Sequence, residues 1–467
     1  MPSRILGRRV LPATGVLALC LMVSAPARLG AGDRRSPVER AIDFLVAHQV
    51  SKPVVATING ARVVDFPGNW PQYFHLRGGE DFRVRDVSPF TVAFIHHALS
   101  HVVEENRRAL GLTRYDLGAA RLMRQRAVAF LKRFESPPHA PDAGTFAFWP
   151  YDTDPAAPDP FVAAFLTWWL QGPILGGERV PINLPIYPGT LAIPSDADVT
   201  ATTYAALLDD AAFDEGPGTK VAFERFLIDW RDTGIVPRRL NPIWLPPASG
   251  AFLTWLTYRS APFPLFPNDV DLIVNANAIY ALGRYGRLNV PGVAEAVALI
   301  NFVTTSGVYR QQFEEISEYY PDNFAFQYVV SRAFHEGSVT ALAPAVRVLA
   351  DDLEASVVIR TDGAAYWDKG APHLNTAFAV LTLLNAGRDT PIIDRAIEYL
   401  IAEQNPSGGF GEATFFFGRT DSGVVFEFTS ESFTTAMALE ALARYQAARC
   451  GRPEHRRHSA TCPAQVG

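Results

Sequence analysis

Two acidic motifs carry the chemistry this chain could do. Asp269-Val270-Asp271-Leu272 and Asp196-Ala197-Asp198-Val199 each follow a proline and a small polar residue, and each runs into an alanine-rich helical pattern. A buried carboxyl stays protonated, because burial penalises its charged form and a second carboxylate beside it adds to the effect. Such a group can deliver a proton. Asp271 with Asp269, and Asp198 with Asp196, are therefore the candidate acids. Proton delivery to an apolar molecule creates positive charge, which aromatic faces stabilise. Trp149, Trp255, Tyr309, Trp367 and Phe410 are the candidate walls, and Glu431 a further contact at the start of the last helical pattern. The same residues have a plainer use: Asp at a helix start accepts the free amide hydrogens of the first turn, and an aromatic after Gly packs between helices.

Two other constellations have chemistry-bearing types. His97, His101 and Glu105 recur at one-turn spacing, which can present ligands on one helix face, and His75 is a possible fourth partner. The trio lies in the C-terminal half of its helix, beside a charged run, so no metal site is expected there. Asp362, Asp368, Glu412, Glu427 and Glu431 could supply the paired carboxylates of a glycan-acting enzyme. With no phosphate-binding glycine loop and no nucleophile elbow, no cofactor is expected.

The elements that must position these groups repeat along the chain: an amphipathic helix, a loop with Gly and an aromatic, then a small-residue-rich helix. The loops carry Gly68-Asn69-Trp70, Gly144 to Trp149, Gly250 to Trp255, Gly307 to Tyr309, Gly363 to Trp367 and Gly408 to Gly411; the second helices begin near Asp86, Asp196, Asp269, Asp322, Leu374 and Ser430. Helical hairpins in this number close into an all-α (α/α)6 toroid. One end of the ring then gathers every such loop and the N-termini of the inner helices, where the helix dipoles favour carboxylates and anionic ligands.

A chain that is 48% hydrophobic and 12% aromatic can bury a large core. Residues 1–27 read as a secretory signal, with Arg4, Arg8 and Arg9 before the apolar stretch Leu11 to Val23 and a small-x-small site at Ala25-Pro26-Ala27. A retained anchor and lipid attachment at Cys20 are the alternatives. The protein is thus expected in the periplasm or outside the cell. Loss of those three arginines takes the net charge from −6 to −9, which argues against nucleic acid as a partner. The toroid is expected over residues 34–446, with insertions at 137–194 and 237–267 and a polar tail at 447–467 in which Cys450 and Cys462 could pair. The apolar run Phe161 to Leu170 is too short to span a bilayer, but could form a lid or touch a membrane surface.

Ala396-Ile397-Glu398-Tyr399-Leu400-Ile401-Ala402-Glu403-Gln404, followed by Gly408-Gly409-Phe410-Gly411, resembles the QW-type repeat of the terpene cyclase and protein prenyltransferase superfamily; Ala41 to Gln49 is similar to its first half. Asp269-Val270-Asp271-Leu272 resembles the Asp-x-Asp-Asp signature of squalene-hopene and other class II terpene cyclases. The resemblance implies that Asp271, at the middle position, protonates an alkene of an isoprenoid or other apolar small molecule. Leu272 and Val199 depart from the third acidic position. The absence of cysteine from the barrel removes the zinc- and thioester-dependent relatives. The alternatives are a non-catalytic binding or structural toroid and an exported glycan hydrolase or lyase.

Overall fold

The core of this protein is a ring of helices buried on every side. In the computed structural model, which describes residues 35–58, 61–77, 79–105, 109–136, 142–148, 195–210, 219–256, 268–419 and 425–450, the inner helices are α2 (Pro89–Ser100), α4 (Ala197–Asp209), α6 (Leu272–Arg284), α8 (Asn323–His335), α10 (Pro372–Asn385) and α12 (Glu431–Cys450). Each packs on the next, and α12 closes back onto α2. The outer layer holds α1 (Pro37–His48), α3 (Arg114–Leu131), α5 (Thr219–Asp229), α7 (Val293–Thr305), α9 (Ala343–Ser356) and α11 (Pro391–Glu403). This is an α/α toroid, as the repeat predicts. The chain divides into Met1–Ser36 and one body, Pro37–Gly467, and the ring belongs to the second. No described helix is long and apolar enough to cross a membrane.

The two layers differ because their sequences differ. Outer α1 buries Val38, Ala41, Ile42, Phe44 and Leu45, a stripe at helical spacing. Inner α2 buries every residue from Pro89 to Ser100; it starts where Ser88 accepts the Phe90 amide and Pro89 takes a position whose N–H has no helical partner. Small residues let the inner helices approach. At Gly283 a β-carbon would stand 1.9 Å from the Gly337 carbonyl oxygen, so nothing larger fits between α6 and the turn after α8.

One bond recurs at the loops. The amides of Phe146, Phe252, Trp367 and Phe410 donate to Thr200, Asn275, Thr376 and Thr435, each in the first turns of the adjoining inner helix. Gln404 adds the tie expected of the last repeat: its amide donates to the carbonyls of Pro37 (2.9 Å) and Gly408 (2.8 Å), and Arg40 donates to its oxygen. The last hairpin is thereby fastened to the first.

A small sheet was not legible as such. Strands β1 (Gln72–Leu76), β2 (Gly79–Asp86), β3 (Thr414–Arg419) and β4 (Val425–Thr429) form an antiparallel sheet in the order β2-β1-β4-β3. Its strands come from the first and last outer-to-inner loops, so it spans the seam where the ring closes. The tail also begins later than expected, since α12 continues to Cys450. Residues 1–27, read as a secretory signal, the Phe161 to Leu170 run and the tail beyond Cys450 lie outside the described residues.

Candidate active site

The two acidic motifs do come together, but they sit on their helices in different registers. Asp196 is the N-cap of α4, accepting the Val199 amide at 2.6 Å. Asp198 therefore lies inside the first turn, where its carboxylate is not needed as a cap. In the second motif the roles reverse. Asp271 is the N-cap of α6: one oxygen accepts the amides of Ile273 (2.8 Å) and Val274 (3.1 Å), the other accepts Ser317 Oγ (2.7 Å) and the Glu318 amide (3.1 Å). Asp269 stands just outside the helix, held by Thr254 and Tyr319 hydroxyls at 2.5 Å each.

The loop that faces both motifs is Ser317 to Pro321, which carries no sequence motif of its own. Its adjacent tyrosines address different acids: Tyr319 donates to Asp269, and Tyr320 donates to Asp198 in a short bond. Asp198 accepts a second bond from Asn277 Nδ2 at 2.6 Å. Trp255 belongs to the same assembly, because its indole N–H donates to Tyr319 Oη at 3.0 Å and its ring meets the Tyr319 ring edge-on.

All four acids are buried, and their protonation follows. Burial, then the neighbouring Asp198, pushes Asp196 well above the usual carboxyl range. Burial raises Asp198 too, with Tyr320, Asn277 and the Arg332 charge acting in the opposite sense. Burial pushes Asp269 up to about 6; burial, followed by Asp269, pushes Asp271 up to about 7. All four carboxyls thus keep their protons to higher pH than free carboxyls do, the direction a general acid needs.

Tyr320 connects the buried acid to the outside. It lines a cavity of about 510 Å³ at the mouth, together with Arg77, Glu318, Asp322, Lys369 and Glu427. Above Asp198 the rings of Phe90 and Phe416 pack against Tyr320, and Phe148 and Phe428 pack against Phe416. Below it, Asn277 also accepts from Arg332 at 2.7 Å. The Arg332 guanidinium is buried over the faces of Phe94 (4.5 Å) and Tyr280 (4.3 Å), so the ring axis beneath the acid is filled by a cation and its aromatic partners.

Several expected wall residues lie elsewhere. Trp367 and Phe410 are buried in the seams between the helix layers, Trp367 donating its indole N–H to the Leu353 carbonyl at 2.9 Å. Tyr309 donates to Asp352 and packs on Phe326. These three hold hairpins together, away from the acids; among the described wall candidates it is Trp255 that stands at them. Glu431 opens α12 with His48 and Glu412 as its charged neighbours, not the acidic motifs. Trp149 lies outside the described residues. The scattered acids of the glycan reading are engaged separately: Glu427 with His75 and Arg77, Asp362 with Arg360, and Asp368 with the Gly370 amide of its own turn.

No family model and no curated protein matches this sequence. Solved structures do. An arginine-to-alanine variant of the type II terpene cyclase MstE from Scytonema, in complex with geranylgeranyl dihydroxybenzoate, aligns over 88% of this chain and 97% of its own at a TM-score of 0.52 and 13% identity. The chain has a terpene cyclase-like fold. A tyrosine-to-phenylalanine variant of MstE without ligand aligns over 88% of this chain and 96% of its own at 0.50 and 12% identity.

Proposed function

We propose that this protein is an acid-dependent enzyme of the class II terpene cyclase kind, with Asp198 as the proton donor to an alkene of an isoprenoid or similarly apolar substrate. The observation that carries this reading is the unequal use of the four carboxyls. Asp196 and Asp271 cap their helices and Asp269 is fixed by two hydroxyls, whereas Asp198 is raised by burial, free of any cap, and linked through Tyr320 to the mouth cavity. The acid thus shifts from Asp271, which the motif resemblance favours, to the corresponding position of the other motif.

In the reaction, the Asp198 O–H bond breaks as its proton forms a new C–H bond with the π electrons of the alkene. The resulting carbocation lies near Tyr320 and the rings packed on it, whose faces favour positive charge. A second alkene attacks it to close a ring, and the cation then loses a proton to water, giving an isomer of the substrate. The substrate sits on the mouth side of Asp198, because the Arg332 cation on the other side would repel that charge. Arg332 has a second effect: its charge favours the carboxylate left behind, which makes Asp198 a stronger acid. Tyr320, which lines the cavity and donates its hydroxyl to Asp198, is placed to return a proton from solvent. The signal-like residues 1–27 support an exported enzyme.

The test is incubation of the protein with geranylgeranyl-bearing phenolic acids, geranylgeranyl diphosphate and squalene, with mass-resolved chromatography of the products. A cyclised isomer of unchanged mass, absent with Asp198→Asn, supports the reading; intact substrate throughout opposes it. A second reading, a binding or structural toroid, is favoured by the filled axis around Arg332. It predicts saturable binding of such molecules without conversion.

A further inference from the structure

The end of the ring opposite the acidic motifs holds a different constellation. His97 in the last turn of α2, His101 one turn on, Glu336 just after α8 and Glu440 in the middle of α12 each aim one ligand atom at a common point, all within 4.8 Å of one another. The imidazole Nε2 atoms of His97 and His101 lie 3.3 Å apart; His97 Nε2 is 3.2 Å and His101 Nε2 3.4 Å from Glu336 oxygens, and both are 3.8–3.9 Å from Glu440 Oε1. His101 also begins a π-helical turn, His101–Glu105, a rare distortion that recurs at functional sites. The two carboxylates that join the histidines come from across the ring, at the C-terminal end of α8 and on α12.

We propose that these four side chains form a binding site for a divalent transition-metal ion of the zinc type. Bonds of about 2.0–2.1 Å in tetrahedral geometry place neighbouring ligand atoms about 3.4 Å apart, and most of the observed separations match this. Two imidazoles exclude calcium and magnesium, which take oxygen ligands, and suit zinc and its neighbours. Supporting contacts are present. Arg444 donates to Glu336 Oε1 (3.0 Å) and Glu440 Oε1 (3.2 Å), and Tyr328 donates to Glu440 Oε2 (3.1 Å), which orients both carboxylates. A cavity of about 530 Å³, lined by His97, His101, Asp209, Arg284 and Glu336, gives an entry path. The position of the four ligands makes the site a clamp: α2 and α12 flank the closing seam, and Glu336 belongs to the far side of the ring.

The probe is Co(II) added to the chelator-treated protein, read by visible absorption and by metal content after gel filtration. The expected result is one equivalent retained, with the intense bands of four-coordinate cobalt, displaced by Zn(II). His97→Ala and Glu440→Gln should each weaken binding more than about 100-fold, since even supporting contacts are worth 10–100-fold. A weak six-coordinate spectrum, no retained metal, or wild-type affinity in either variant overturns the proposal. If a variant fails to fold, the wild-type spectrum and stoichiometry alone decide.

Discussion

Replacing Asp198 by Asn separates a proton donor from a structural polar group. In the wild type, one Asp198 oxygen accepts Asn277 Nδ2 at 2.6 Å and the other meets the Tyr320 hydroxyl. An asparagine keeps both contacts: its carbonyl accepts from Asn277, and its amide donates to the Tyr320 oxygen, whose hydrogen can turn away. Only the Tyr320 hydrogen must find a new acceptor, so folding stability should change by about 1 kcal/mol. The proton is gone, however. Loss of general acid catalysis costs about 10²–10⁴-fold in rate, or about 3–5 kcal/mol of barrier. Asp271→Asn should behave in the opposite way. Its amide nitrogen would point at the Glu318 N–H, a donor facing a donor in a buried site, costing about 1–3 kcal/mol of stability. The assay pairs urea unfolding with product formation for both variants. A stable but inactive Asp198→Asn beside a destabilised but active Asp271→Asn is expected. Retained activity in Asp198→Asn, or the reverse pattern, refutes the assignment.

Other consequences are as direct. Tyr320→Phe removes a hydrogen bond that holds the Asp198 pKa down, so the alkaline limb of the rate profile should move to higher pH while turnover slows, as read from pH–rate curves. Asp269 is raised from 3.8 to about 6, so its stabilising contribution is complete below 3.8 and lost as pH rises through 6. Wild type should therefore lose about 2–3 kcal/mol more stability than Asp269→Asn between pH 4 and 7.5, measured by urea unfolding across pH. Gly408 has φ +89°, and a β-carbon there would stand 2.2 Å from the Arg40 carbonyl oxygen; Gly408→Ala should cost at least about 1–3 kcal/mol in strain alone, visible as a lowered Tm.

The sequence repeat was enough to place the helices, because an amphipathic outer pattern and a small-residue inner pattern each demand their own layer. The acidic motifs were visible too, and their meeting at one end follows from the hairpin topology. Their inequality was not. Whether the first or second Asp becomes the cap depends on where the helix begins, and a shift of two residues separates Asp196 from Asp271 in that role. The Gly-associated aromatics look alike in sequence, yet Trp367 and Phe410 are latched to inner helices while Trp255 reaches Tyr319. The sheet has no local signature because it pairs β1 with β4, strands about 350 residues apart, as the bond between His75 and Glu427 shows. His97 and His101 showed the spacing of ligands, but Glu336 and Glu440 enter only through the closed ring.

The most direct test of the central claim is to run the reaction in deuterium oxide with a geranylgeranyl-bearing phenolic acid and to locate the label by mass spectrometry and NMR. Protonation of an alkene by Asp198, recharged from solvent through Tyr320, predicts one deuterium in each cyclised product, bound to the carbon that was protonated, and no product from Asp198→Asn. A cyclised product without solvent deuterium, or the same labelled product from Asp198→Asn, would contradict the account.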